Sequence, residues 1–254
     1  MIEKSLGRAF DDVADVYDAS RPGYPDAVFR SIAEISGVPF AGATVADVGA
    51  GTGILTRAMR ARGARVLAVE PGWEMLAHLV ARVRADGTPG VAALMGDGDV
   101  LPLRDGSVDL VTYAQSWHWL DPSASIAEAR RVLRPGGAVA ACWNVIDAGR
   151  AEWLAAHESR VAEEVARYWG PAHPDWRVPP IAAAFEVLEE RWLTWERPMR
   201  VDGFLQDLLS HSYMAALPRD DAERVLAARR ADLLAVFPEG SLTVPMRVYL
   251  AVGR

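Results

Sequence analysis

Cysteine is almost absent from this 254-residue chain, with Cys142 as its single example. One thiol cannot close an internal disulfide or supply a cysteine-rich metal site, and a buried strand position is its expected place. Lysine is equally scarce, represented by Lys4 alone. Excess positive charge is missing too, since 27 Lys and Arg against 34 Asp and Glu leave a net charge of −7. Phosphate backbones are gripped by clustered basic side chains, so a nucleic-acid partner is not expected. No uninterrupted apolar run approaches the roughly 20 residues that a membrane-spanning helix needs. Met1–Phe10 is polar and lacks the apolar centre of a secretory signal. A cytoplasmic protein with no membrane partner is the expectation. None of the five histidines stands four residues from another, so no metal site is expected.

Apolar residues make up 51% of the chain, enough for one large domain, or a domain with a modest appendage, around a substantial core. The middle of the sequence alternates short β-rich runs with longer helical ones. Ala43–Val48, Arg65–Glu70, Val91–Met95, Ser107–Ala114 and Ala138–Trp143 read as strands. Gly53–Arg62, Gly72–Ala85 and Pro122–Leu133 carry apolar residues at helical spacing. Alternation of this kind builds a parallel sheet with helices on both faces, because parallel strands need a crossover. Arg134-Pro135-Gly136-Gly137 reads as a turn between a helix and the fifth strand.

Beyond Trp143 the rhythm changes. Ala151–Trp169 reads as one long amphipathic helix, followed by a break rich in proline from Pro171 to Pro180. A strand-like stretch lies within Phe185–Met199, Asp202–Ala216 and Arg219–Phe237 look helical, and Leu242–Val252 closes the chain as a strand. The two late strands are expected to extend the sheet, with the helices between them over its edge or mouth.

The most informative segment is Asp47-Val48-Gly49-Ala50-Gly51-Thr52-Gly53. It follows a strand and opens a helix, the setting in which a glycine-rich turn lets backbone approach a ligand closely. Ile54 occupies the position where a dinucleotide fingerprint wants its third glycine. Asp47, ahead of the turn, suits a ligand carrying positive charge, such as an α-ammonium group, better than a pyrophosphate. Glu70 ends the next strand, about 20 residues on, where a carboxylate can accept from both hydroxyls of a ribose. The bland alternative is an acid capping the helix that starts near Gly72. Asp97, in Gly96-Asp97-Gly98, can accept from an exocyclic amine, or serve simply as a turn residue.

With these segments in order, the chain resembles the class I S-adenosylmethionine-dependent methyltransferases of the small-molecule branch. The resemblance is carried by Val45–Gly53 (VADVGAGTG), Val66–Leu76 (VLAVEPGWEML), Gly96–Val111 (GDGDVLPLRDGSVDLV) and Arg131–Ala140 (RVLRPGGAVA). It implies a Rossmann-like, doubly wound α/β fold with a seven-stranded, mostly parallel sheet and an antiparallel last strand. Residues 1–145 would then form the cofactor-binding core with an N-terminal lid segment, and 146–254 the acceptor side of the same domain. It implies S-adenosylmethionine as cofactor, with Asp47, Gly49, Ala50, Gly51, Thr52 and Gly53 on its methionine part and Glu70 on its ribose. Pro71 and Met75 would face the sugar and adenine, and Asp97 and Gly98 the adenine.

Phe10–Asp18 with Arg21-Pro22-Gly23-Tyr24, and Ala114–Trp119 (AQSWHW), are similar to the trans-aconitate methyltransferase-like subgroup. That similarity implies Tyr17 and Arg21 near the methionine carboxylate, an arginine being suited to grip it with two prongs. An Arg–Asp pair at a helix end is the structural alternative. It also implies Gln115 beside the cofactor and Trp117 and His118 at the acceptor pocket. Trp143, at the same sheet edge, and Tyr213, beside His211, join the substrate-binding set.

A sulfonium methyl is already activated, so the protein's task is positioning, with a base needed only for a hydroxyl or protonated amine acceptor. His118 is the first candidate base and His211 the second, while structural packing is the alternative for each. His78, His157 and His173 are expected on surface helices or in the proline-rich break. Two other functions stay open. A nicotinamide-dependent oxidoreductase is disfavoured by Ile54, Asp47 and the lack of a lysine for a Tyr-x-x-x-Lys relay. A non-catalytic module that binds the cofactor is disfavoured by the lid-like C-terminal region.

Overall fold

A computed structural model describes residues 21–87, 89–173 and 185–254, and the elements below are numbered along them. The order is α1 (Asp26–Ser36), β1 (Thr44–Val48), α2 (Ile54–Ala61), β2 (Arg65–Glu70), α3 (Trp73–Ala85), β3 (Val91–Met95) and β4 (Val108–Ala114). Then follow α4 (Pro122–Val132), β5 (Leu133–Ile146), α5 (Glu152–Glu164), β6 (Val187–Arg200), α6 (Val201–Leu209), α7 (Ser212–Ala215), α8 (Arg219–Val236) and β7 (Ser241–Gly253). The seven strands form one sheet in the order β3-β2-β1-β4-β5-β7-β6. The first five run parallel, and β7 is antiparallel to both β5 and β6.

The strand order reverses beside β1, so the carboxyl ends of β1 and β4 diverge toward different crossovers and leave a crevice there. All five residues of β1 are buried, as a central strand with helices on both faces requires. Its alternation divides the core. Val45 packs with Val28, Phe29 and Ile32 of α1 on one face. Ala46 and Val48 pack with Ala129 and Val132 of α4 on the other. A third cluster unites α5, α6 and α8 with Leu242, Val244 and Met246 of β7, beyond the sheet's carboxyl edge.

Helix ends follow local chemistry. Asp121 caps α4 by accepting from the Ala124 amide at 2.9 Å, and Pro122 takes the first helical position, where its missing N–H costs nothing.

Three expectations need correction. Arg134–Gly137 is no free turn: β5 begins at Leu133, and the four residues are accommodated as an irregularity in its pairing with β4. The helix expected over Ala151–Trp169 stops at Glu164, because the apolar Val165 and Tyr168 turn inward and become buried. The helix expected over Asp202–Ala216 is two, broken where the Ser210 hydroxyl donates to the Asp207 carbonyl at 2.6 Å. Such back-bonding competes with the helical ladder.

Candidate active site

The turn between β1 and α2 uses three left-handed glycines, Gly49, Gly51 and Gly53. Gly49 has φ 70°, and a Cβ there would stand 2.4 Å from the Ser116 Cβ, so side-chain-free backbone is required. Gly51 has φ 56°, and a Cβ there would meet nothing within 4 Å. It faces open cavity.

Glu70 ties this turn to the next. Its Oε2 accepts from the Gly51 amide at 2.8 Å and its Oε1 from the Gly72 amide at 2.9 Å. A carboxylate oxygen carries two lone pairs and can accept more than one hydrogen bond. Asp47 lies deeper, 1% exposed, with Oδ2 accepting from the Thr56 hydroxyl at 2.5 Å and Oδ1 from the Thr112 hydroxyl at 3.0 Å. Burial pushes its carboxyl up to about 6, against the opposing pull of the two hydroxyls. Asp97 follows β3 and accepts from the Asp99 amide at 3.0 Å.

At the end of β4, Gln115 holds φ 58°, the one non-glycine with positive φ among the described residues. Its side-chain amide donates to the Asn144 carbonyl at 2.6 Å. Strained backbone is retained where the surroundings over-determine it, here beside the crevice. His118 sits in the short helical turn that follows, with its Nδ1 accepting from the Trp143 indole N–H at 3.2 Å. That bond assigns the ring proton to Nε2, and desolvation pulls the imidazole down to about 4. His118 is therefore neutral and holds its free proton on Nε2.

These groups line one cavity of about 470 Å³. From the C-terminal elements it adds His157 and Glu158 of α5, Phe204 and Asp207 of α6, and His211 and Tyr213. Burial holds the His211 imidazole well below its usual range, and its ring stacks on Tyr213. Glu158 is 5% exposed and accepts from the Tyr168 hydroxyl at 2.5 Å, and burial raises its carboxyl to about 7.

Comparison with known proteins identifies this arrangement. Residues 46–141 match the model of a methyltransferase domain. An uncharacterized methyltransferase of Mycobacterium tuberculosis is 32% identical over 235 residues, covering 92% of this chain and 89% of that protein. The chain belongs to the methyltransferase family. It is a class I S-adenosylmethionine-dependent enzyme. A demethylmenaquinone methyltransferase of Clavibacter sepedonicus is 33% identical over 137 residues, covering 52% of this chain and 55% of its own. Among solved structures, a candidate type II methyltransferase of Anaeromyxobacter dehalogenans superposes with a TM-score of 0.71 at 28% identity. That match covers 92% of this chain and 97% of the other.

The methyltransferase fits its cofactor on its own geometry: an open cradle at Gly51, with Glu70 and Asp97 on the same cavity. Of the residues singled out from the sequence, Arg21, Asp47, Gly49, Ala50, Gly51, Thr52, Glu70, Pro71, Met75, Asp97, Gly98, Gln115, His118, Trp143, His211 and Tyr213 all line this cavity. Gly53 does not, serving instead as the N-cap of α2. Trp117 needs correction. It is buried in the core between Tyr113 and Phe185, away from the cavity. Tyr17 lies outside the described residues. Arg21 donates to the Ser210 carbonyl and stands 3.8 Å from Asp207, a helix-end pairing that still leaves it on the cavity wall.

His157 also needs correction: it is 5% exposed and lines the cavity instead of the surface. The sequence reading missed Glu158, although a signal existed. Leu154, Glu158, Val161 and Val165 fall at one helical stripe, which puts an acid on the buried face of α5. Among the described residues, no group of three or more His, Cys, Asp or Glu is placed to hold a metal ion, and no helix is long and apolar enough to cross a membrane.

Proposed function

We propose that this methyltransferase acts on a small molecule seated in the same cavity as its cofactor, by direct in-line transfer. The observation that carries the reading is the continuity of that cavity from Gly51 and Glu70 to His157 and Glu158. When bound, S-adenosylmethionine supplies a methyl already activated on sulfur. The chain's own work is then orientation and exclusion of water, which can contribute about 7–11 kcal/mol. Residues 1–145 hold the cofactor, with Asp47 and the glycine turn at the methionine end, Glu70 at the ribose and Asp97 at the adenine. Residues 146–254 build the acceptor side of the same domain.

His118 is assigned a donor's role. Its Nδ1 lone pair is taken by Trp143, so Nε2–H can orient an acceptor oxygen but cannot remove a proton. His211 is desolvated below the range where a base works well near neutrality. Small-molecule chemistry is supported by the cavity's size and by the partial relative, which is a demethylmenaquinone methyltransferase. The net charge of −7 supports an acceptor other than nucleic acid.

The test is to incubate the protein with methyl-labelled S-adenosylmethionine and a panel of phenols, amines and small acids. Label in at least one extracted small molecule is the expected result, lost in Glu70→Ala. Label found only on added protein or nucleic acid contradicts the reading.

A further inference from the structure

The end of the cavity built by α5 holds two buried polar groups that the described protein leaves unsatisfied. Glu158 uses Oε2 for Tyr168, and no described residue donates to its Oε1. The Tyr168 hydroxyl donates to Glu158 and accepts from the Ala172 amide at 3.0 Å. Beside it, the Nε2 of His157 is buried with no hydrogen-bond partner. Both residues line the cavity.

A buried carboxylate is costly unless it is paired, and an unsatisfied ring nitrogen adds to that cost. Among the described residues no cation forms an ion pair with Glu158. The nearby Arg229 pairs with Glu164 at 3.0 Å and Asp232 at 3.1 Å. The lining also includes Phe204, Tyr213, Trp169 and Met246, together with His211, Ser212 and the charged pair Arg21 and Asp207, which stand 3.8 Å apart. A carboxylate oxygen to which no described residue donates matches a ligand group that donates. An ammonium has three donors and no acceptor, whereas a hydroxyl has one donor. Aromatic rings also attract a desolvated cation.

We propose that Glu158 forms an acceptor subsite that holds a protonated amine on the small molecule to be methylated. This rests on the reading of the cavity as an acceptor site. Glu158 is a specificity-determining residue here and takes no part in the bond exchange at sulfur.

The test is calorimetry on the full-length protein loaded with S-adenosylhomocysteine, using phenethylamine, phenethyl alcohol and phenylpropionate as probes of matched shape. The amine binds, the alcohol binds about tenfold more weakly and the carboxylate most weakly of the three, on the scale of a charged hydrogen bond. Glu158→Gln, which keeps the Tyr168 bond, abolishes the preference for the amine and leaves S-adenosylhomocysteine affinity unchanged. Tyr168→Phe keeps the carboxylate and retains the amine preference with weaker affinity. Preference for the alcohol or the acid, no binding of the amine, or an amine preference that survives Glu158→Gln overturns the subsite. Failure of S-adenosylhomocysteine to load the parent protein would instead fault the cofactor site, and is read separately.

Discussion

Asp47 is buried and His118 half-buried, and desolvation acts on them with opposite sign. Neutral forms are favoured in each case, so the acid's pKa rises to about 6 and the histidine's falls to about 4. An acid raised in the folded state contributes stability that is full below its unfolded value near 3.8 and is lost as pH rises through about 6. A histidine lowered in the folded state contributes stability that is present above 6.5 and is lost as pH falls toward 4. Glu158, raised to about 7, acts like Asp47, and His157, lowered to about 4, acts like His118. The four largely offset one another between pH 4 and 7. Asp47→Asn removes one side of that balance. Relative to the parent, its stability should gain about 2–3 kcal/mol on going from pH 4 to pH 7, measured by urea unfolding at both. A gain that does not depend on pH would contradict the raised carboxyl. The imidazole of His118 should titrate by NMR with a midpoint near 4. A midpoint near 6.5 would mean that the ring is solvated and free of Trp143.

The turn after β1 depends on glycine for two separable reasons. Gly49→Ala places a side chain at φ 70° and a Cβ 2.4 Å from that of Ser116. The left-handed backbone alone costs about 1–2 kcal/mol, and the collision adds to it. Adding Ser116→Gly should recover the collision part but not the backbone part, as read from thermal or urea midpoints. Complete recovery would show that backbone conformation is not limiting. In the turn after β4, Trp117 faces the core, so Trp117→Ala should cost about 3–5 kcal/mol of stability and leave cofactor affinity unchanged. A large affinity loss would return Trp117 to the site.

These turns also mark what could be read in advance. Parallel strands announce themselves as short β-rich runs between helical ones, and β2 and β3 fall where their runs of apolar residues place them. That the glycine turn, Glu70 and Asp97 share one cavity was legible because glycines and acids sit at fixed offsets from strand ends. Side-chain direction was not. Trp117 and His118 are adjacent in sequence, yet one points to core and the other to cavity, because the short helical turn between Ser116 and Leu120 separates them. The α5 end of the cavity was the least legible. Tyr168 bonds to Glu158 only because the chain leaves α5 at Val165 and folds back, which depends on tertiary burial that helical spacing does not encode.

At the scale of the whole molecule, a parallel sheet offers its ligand crevice where strand order reverses, and the third core cluster of α5, α6 and α8 closes over that edge. The division of labour follows. In the proposed reading, elements up to β5 hold the cofactor and those after it shape the acceptor side. Glu70 joins the turn after β1 to the turn after β2, accepting from the Gly51 and Gly72 amides, and the proposed ribose contact would add to that role. The most direct measurement is calorimetric titration of parent and Glu70→Ala protein with S-adenosylhomocysteine. Saturable binding to the parent, weakened by about 1–3 kcal/mol in the variant, is the expected result. Equal affinity of the two proteins, or a parent that ignores this ligand and takes up a nicotinamide dinucleotide instead, would contradict the account.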